Sequence, residues 1–196
     1  MFRFSSPDSE TVERFLADQR NRPLTYGHQG KTATTPPSGF NLDHTRVCLG
    51  QGIEIFDKAK MGLQGWQQFE LGWVSARPVS TPIGEGEQIC IVGQAVGLYW
   101  LNACRIVYVI DDSTSHPKFG YAYGTLPAHM EMGEERFLVE MDSQGDVWYD
   151  ILAFSRPNRW LTRLANYYMR TLQKRFGRES AAHMKAIAQG KIPSSF

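Results

Sequence analysis

Alternating apolar and polar residues dominate the middle of the chain and predict an antiparallel sheet. The stretch 119–157 predicts three strands joined by two turns, and it leads directly into a long basic helix. Four earlier strands are predicted at 44–52, 71–77, 88–95 and 99–112, which makes a sheet of about seven strands. Prolines and glycines separate these segments, as turns require.

Helical spacing of apolar residues appears in three other places. Residues 8–20 predict a short amphipathic helix, and residues 55–69 predict a second one that two glycines interrupt. The third helix is predicted from about 158 to 189, with Gly177 as the expected position of a bend or break. Between the first helix and the first strand, residues 21–40 are rich in proline and glycine and predict a long irregular loop.

This order of elements resembles the helix-grip architecture of START-like and Bet v 1-like proteins. In that architecture a curved sheet wraps the last helix, and a cavity can remain between the two. We therefore expect an α+β fold in a single domain, because 196 residues suffice for one core. Its expected parts are an N-terminal helix and irregular loop (1–42), a sheet with one inserted helix (43–157) and a long basic C-terminal helix (158–189).

Several blocks of sequence are specific enough to indicate a family. The most specific are Tyr123-Gly-Thr-Leu-Pro and Gly133-Glu-Glu-Arg-Phe, and others are Leu24-Thr-Tyr-Gly, Val147-Trp-Tyr-Asp-Ile and Phe154-Ser-Arg-Pro. In these blocks, and over nearly its whole length, the chain resembles the uncharacterised proteins grouped as domain of unknown function nineteen-ninety. After Leu-Thr-Tyr that family continues with Pro-Glu-Val-Gly-Ala-Thr, whereas this chain has Gly27-His-Gln-Gly-Lys-Thr. The resemblance implies the fold of this family and membership in it, and it implies no established reaction.

The formal net charge of +1 conceals an uneven distribution. From Arg156 to the end, nine lysines and arginines accompany a single acid, Glu179, whereas the preceding residues carry twelve basic and nineteen acidic side chains. A basic helix on an acidic body either packs against that body or faces an anionic partner. We expect no specific nucleic-acid partner, and at most a weak contact of this helix with an anionic membrane.

Other compositional features point to an ordinary intracellular protein. No segment approaches the roughly 18 to 20 apolar residues of a membrane span, and the N-terminus lacks the apolar run of a secretory signal, so we expect a cytoplasmic location. Cys48, Cys90 and Cys104 lack CxxC spacing and are expected to be reduced, buried thiols. No glycine-rich nucleotide motif and no nucleophile elbow occurs, and we expect neither a cofactor nor a metal.

The densest polar cluster lies on and beside the turn between two predicted strands. It contains His129, Glu131, Glu134, Glu135 and Glu140. A histidine with several carboxylates suits acid/base chemistry or a metal, but this spacing lacks the single helical face of an HExxH site. His129 and Glu135 are weak candidates for catalysis.

The strands themselves carry the other candidate residues. Strand alternation puts Arg136 and Glu140 on one face and Glu135 on the other, and both faces contain apolar members, so the pattern does not decide which face is internal. The predicted ligand-binding residues are Arg105, Tyr121, Tyr123, Arg136 and Trp148.

Three functions are compatible with this sequence. The leading hypothesis is a binding module that holds a hydrophobic or amphipathic small molecule in a START-like cavity. The alternative is an enzyme on the same scaffold, acting on a small anionic or lipid-like substrate with His129 or Glu135 as acid or base and Arg136 or Arg105 as the orienting cation. The third is an interaction protein that uses the basic C-terminal helix.

Overall fold

An antiparallel sheet curves around the C-terminal helix in the computed structural model, which describes residues 2–158 and 166–192. The described strands are β1 (Phe2–Arg3), β2 (Asn41–Gln51), β3 (Val74–Arg77), β4 (Gln88–Ala95), β5 (Leu98–Asp112), β6 (Lys118–Thr125), β7 (Glu131–Met141) and β8 (Asp146–Pro157). The α-helices in the same ranges are α1 (Ser9–Ala17), α2 (Ile53–Gln64) and α3 (Asn166–Ala188), and short 3₁₀ turns span Lys31–Ala33 and Gln67–Phe69.

The strand order is β2-β8-β7-β6-β5-β4-β3, and the short β1 pairs with β5. Every pairing is antiparallel. The register shifts between Cys48 and Gly50 on β2 and between Ile106 and Tyr108 on β5. Such bulges increase local twist and bend a sheet. The predicted curved sheet of about seven strands around a C-terminal helix is confirmed.

The two faces of the sheet pack against different elements. The concave face supplies most of the core, including the fully buried Tyr121, Phe137 and Tyr149. On the convex face, α1 packs its apolar stripe over β4 and β5. The helix begins where the sequence predicts, since Asp8 Oδ1 accepts the N–H of Thr11 at 2.9 Å.

Helices α2 and α3 pack against each other and cover the concave face. Gly62 permits close approach, because a Cβ there would lie 3.3 Å from the Met184 side chain. The predicted second helix is shorter than expected: α2 ends at Gln64, and Trp66 adopts a left-handed conformation with φ 58° before the 3₁₀ turn. None of the described helices is long and apolar enough to cross a membrane.

Gly177 does not break the last helix, so the prediction of a break there is wrong. Helix α3 runs through it without interruption. A Cβ at this position would lie 2.7 Å from Thr45 Oγ1 on β2, so the glycine lets the helix approach the sheet. The portion of the predicted helix over 159–165 lies outside the described residues.

Candidate functional site

A cavity of about 1000 Å³ lies between the concave face of the sheet and α3. Its apolar wall includes Val47, Phe69, Trp73, Val74, Ile91, Trp100, Ile151, Leu172 and Phe176. Its polar wall includes Asp43, Asn102, Tyr123, Thr125, His129, Glu131, Glu135, Ser155, Arg170 and Gln173. The cavity is therefore lined by both apolar and polar side chains, which is typical of ligand sites.

Glu135 is the central carboxyl group of the polar wall. It lies on the concave face of β7 and accepts a hydrogen bond from the Tyr123 hydroxyl on β6 at 2.6 Å. Burial raises the pKa of Glu135 to about 7; the Tyr123 hydrogen bond opposes this shift, and the negative charge of Asp43 adds to it. Near neutral pH the carboxyl group is therefore divided between its protonated and ionised forms.

Glu131 is a second buried carboxyl group on the same face of the same strand. Its side chain is 6% exposed, and burial raises its pKa to about 7 against the opposing effects of Arg170 and Ser155. Four residues of extended strand separate it from Glu135, which corresponds to about 13 Å along β7. The polar side chains of the cavity are thus spread along β7 and are not gathered at one point.

His129 lies next to Glu131 and is neutral. The backbone N–H of Glu131 donates to His129 Nδ1 at 2.9 Å. Burial lowers the pKa of His129 to about 4. The imidazole is therefore uncharged at neutral pH, and it supplies no positive charge to the carboxyl groups around it.

An ion pair connects α3 to the sheet at the polar wall. Arg170 binds both carboxylate oxygens of Asp43, with the Nη2–Oδ1 contact at 2.7 Å. Arg170 Nη1 also donates to Gln173 Oε1 at 2.8 Å, and Gln173 Nε2 donates to Ser155 Oγ at 3.1 Å. These contacts hold the start of the described helix against β2 and β8.

Three predicted ligand-binding residues lie on the convex face, so their expected place in the lining of this cavity is wrong. That they bind a ligand stays a prediction. Arg136 binds Asp150 Oδ1 through Nη2 at 2.6 Å. Trp148 donates its indole N–H to Asp142 Oδ2 at 2.9 Å. Arg105 donates to a backbone carbonyl just beyond α1 at 2.6 Å. On β7 and β8 the even-numbered side chains point to the convex face, and Arg136 and Trp148 are among them. Arg105 precedes the bulge on β5, and strand alternation directs its side chain to the same face.

The other predicted site residues lie on the concave side. Tyr123, His129 and Glu135 line the cavity. Tyr121 is fully buried beneath Trp66, so it belongs to the core and not to the cavity wall. Whether any of these residues binds a ligand or catalyses a reaction stays a prediction.

The predicted cluster of five polar residues is divided between the two faces of the sheet. His129, Glu131 and Glu135 line the cavity, whereas Glu140 points outward. Glu134 borders the cavity too, but its carboxylate is bonded to the irregular loop on the convex side. Glu140 binds cations on the convex side, Arg46 at 2.7 Å and Lys118 at 3.2 Å. Adjacent residues of a strand point to opposite faces, so a run of two glutamates cannot act as one site.

Glu134 has a structural role that the sequence pattern did not reveal. Its side chain is 2% exposed, and its Oε2 accepts from the Tyr26 hydroxyl and the Gly30 N–H, both at 2.7 Å. Its Oε1 accepts from the N–H and the hydroxyl of Thr32 at 2.9 and 2.5 Å. The irregular loop is therefore fastened to the convex face, and the Gly133-Glu-Glu-Arg-Phe block holds that loop with one glutamate and lines the cavity with the next.

The cavity also contains residues that sequence reasoning did not identify as a site. Asp43, Ser155 and Arg170 come from β2, β8 and α3, and no short motif connects them. The three predicted thiols are free in the structure; Cys90 and Cys104 are buried, but Cys48 is only half-buried. No motif of fixed spacing predicts that Asp43, Ser155 and Arg170 lie together, because only tertiary contacts bring these residues into one cavity.

Comparisons with known proteins place the chain among uncharacterised relatives. The family model described as "Domain of unknown function (DUF1990)" matches residues 25–183. A "UPF0548 protein" of Dictyostelium discoideum is 34% identical over 211 residues, which cover 97% of this chain and 98% of that protein. Neither description names a ligand or a reaction.

Two solved structures extend the comparison to the fold. A protein from Arthrobacter aurescens superposes with a TM-score of 0.51 at 8% identity, over 81% of this chain and 95% of that one. Human STARD10 superposes with a TM-score of 0.47 at 9% identity, over 95% of this chain and 83% of that one. The similarity to the Arthrobacter protein, at such low identity, concerns the fold alone.

Proposed function

The chain belongs to the family described as Domain of unknown function (DUF1990), and on the geometry of its cavity we propose that it binds a hydrophobic or amphipathic small molecule there. The observation that supports this proposal is a cavity of about 1000 Å³ that is lined by both apolar and polar side chains. Ligand sites typically have this size and this composition.

The apolar wall supplies the expected binding energy. Phe69, Trp73 and Phe176 line it, and Phe69 stacks on Phe176 with ring centroids 5.1 Å apart. A ligand that covers such a surface gains roughly 25 cal/mol for each Å² of apolar area removed from water. The hydrogen-bonding groups of the polar wall then fix the orientation of the molecule.

The test is native mass spectrometry of gently purified protein, compared with its denatured mass. A co-purifying molecule that is lost on denaturation is the expected result, and its addition back should raise the melting temperature by mass action. Ala153→Phe, which fills part of the cavity, should abolish both effects, whereas Ala17→Phe at the exposed end of α1 should preserve them. Bare protein that no member of a broad lipid and metabolite panel stabilises would refute the proposal.

A second candidate function is catalysis in the same cavity. The observation that favours it is Glu135, whose carboxyl group has a pKa raised to about 7 and receives the Tyr123 hydroxyl at 2.6 Å. A carboxyl group with such a pKa suits general acid/base chemistry near neutral pH. Arg136 and Arg105 cannot orient a substrate in this cavity, because their side chains project from the convex face, on the other side of the sheet. Loss of turnover in Glu135→Gln with the fold retained is the expected signature of an enzyme.

The interaction role of the basic helix stays a weaker proposal. Arg170 pairs with Asp43, and Arg175 pairs with Glu179 at 2.7 Å, so part of the positive charge is used inside the molecule. Lys174 and Arg178 are exposed and remain free to meet an anionic membrane. Binding to anionic vesicles that weakens with salt and disappears when Lys174 and Arg178 are neutralised would support this role and the proposed cytoplasmic location.

A further inference from the structure

The charges inside the cavity are unevenly compensated. Asp43 has an ion-pair partner in Arg170, whereas Glu131 and Glu135 form no salt bridge with any residue that the structure describes. Three other cations of α3 also border the cavity: Lys174 and Arg178 are exposed to solvent, and Lys185 is half-buried. Among the described residues, none of them forms a salt bridge with Glu131 or Glu135, so the cavity wall presents two carboxyl groups without an ion-pair partner there.

We propose, on the basis of the binding function proposed above, that the ligand is an amphipathic amine whose ammonium head pairs with Glu135 and whose apolar body lies against Phe69, Trp73 and Phe176. The head supplies the ion-pair partner that Glu135 does not have among the described residues. The body covers the aromatic wall.

The hydrogen-bonding geometry of Glu135 fits an ammonium head. Its carboxylate accepts one hydrogen bond, from the Tyr123 hydroxyl at 2.6 Å, and among the described residues it accepts no other. An ionised carboxylate has about four acceptor positions, and an ammonium group brings three donors. The positions that Tyr123 leaves unused are available to the ligand, and charge-assisted hydrogen bonds of this kind are stronger than neutral ones.

The carboxyl groups of the polar wall disfavour an anionic head at Glu135, whereas Lys174, Arg178 and Lys185 of α3 offer positive charge elsewhere in the cavity. A carboxylate or phosphate head on this wall would add a negative charge beside Glu135, Glu131 and Asp43. Arg170 is already held by both oxygens of Asp43, so an anion would have to compete for it. A neutral alcohol would find acceptors but would gain no charge pairing.

The affinity for an amine should depend on pH in a distinctive way. A bound ammonium favours ionised Glu135, so binding releases a proton and affinity rises with pH through the pKa of about 7. From pH 6 to pH 8 the expected rise is about tenfold, because the ionised fraction grows by about that factor. The titratable groups that interact with Glu135 are Tyr121 and Tyr123 on β6, Tyr149 on β8, Cys104 on β5 and Asp43 on β2. The other titratable and charged groups that line the same cavity are His129, Glu131 and Glu134 on the sheet side and His44 on β2, with Arg170, Lys174, Arg178 and Lys185 on α3.

The experiment compares decylamine, decanol and decanoate, three probes with the same alkyl chain, by isothermal titration calorimetry on the full chain. Decylamine is expected to bind about tenfold or more tightly than the other two at pH 8. Glu135→Gln should reduce decylamine affinity to the level of decanol and remove its pH dependence, while decanol binding changes little. Glu140→Gln, on the convex face of the same strand, should bind all three probes as the unaltered protein does.

The possible outcomes separate this inference from the function on which it rests. Equal affinity for the three heads, or a preference for decanoate, would overturn the amine assignment and leave a hydrophobic binding protein. Retention of the amine preference in Glu135→Gln would also overturn it. Failure of all three probes to bind, together with no co-purifying molecule, would overturn the proposed function and this inference together.

Discussion

Glu135→Gln isolates the energetic cost of the half-buried carboxyl group at the cavity wall. Glutamine keeps the side-chain shape and can still accept the Tyr123 hydroxyl, but it has no proton to lose. The pKa of Glu135 rises from an ordinary 4.5 to about 7, a difference of about 2.5 pH units. At 1.36 kcal/mol for each unit, ionisation of this group costs the folded state at most about 3.4 kcal/mol.

The sign of the effect follows from the order in which the two states lose the proton. The unfolded chain ionises at about pH 4.5, whereas the folded protein keeps the proton until about pH 7. Stability is therefore complete below pH 4.5, falls as the pH rises to about 7, and stays lower above that value. The raised pKa of Glu131 lowers the stability over the same pH range, so Glu135→Gln should remove roughly half of the total loss of stability.

Urea unfolding from pH 4 to pH 8 measures this difference directly. We expect Glu135→Gln to match the unaltered protein at pH 4 and to exceed it by about 2 to 3 kcal/mol in free energy of unfolding at pH 8. Glu85→Gln, which replaces an exposed loop carboxylate, should follow the unaltered protein throughout. A pH-independent difference, or a variant less stable at pH 8, would refute the burial of an uncompensated carboxyl group.

Three further substitutions test the packing around the site. Glu134→Ala should release the irregular loop, speed tryptic cleavage after the exposed Lys31, and cost about 2 to 4 kcal/mol in free energy of unfolding, because four donors lose their acceptor. Gly177→Ala should lower the free energy of unfolding despite a gain of about 1 kcal/mol in helix propensity, because the new Cβ would clash with the Thr45 hydroxyl. In the double variant Thr45→Ala removes this clash, so urea unfolding should then show the gain in helix propensity. Gly133→Ala should cost more than about 3 kcal/mol or prevent folding, since φ is 155° and a Cβ would overlap a backbone oxygen of β8.

Each of these predictions has a contradicting result. Unchanged cleavage after Lys31 in Glu134→Ala would mean that the carboxylate does not hold the loop. Additive effects of Gly177→Ala and Thr45→Ala would mean that helix and strand are not in contact there. A stable, soluble Gly133→Ala protein would show that the β7–β8 pairing differs from the one described.

Local chemistry allowed the sequence to determine which elements form and in what order. The first amphipathic helix, the alternation along β6 to β8 and the basic character of α3 all depend on residues close in the chain, so their patterns were visible without a structure. Period-two alternation also required that Glu134 and Glu135 point in opposite directions. The order of elements was then enough to indicate a sheet that wraps a terminal helix.

Tertiary structure alone decided which face of that sheet is internal. Both faces carry apolar residues, and the choice depends on what covers each one: α2 and α3 on the concave side, α1 and the irregular loop on the convex side. That choice turned Arg105, Arg136 and Trp148 outward and Glu135 inward. It also gave Gly177 its role beside Thr45 and joined Asp43 to Arg170 across 127 residues, because contacts between distant segments have no local pattern from which they can be predicted.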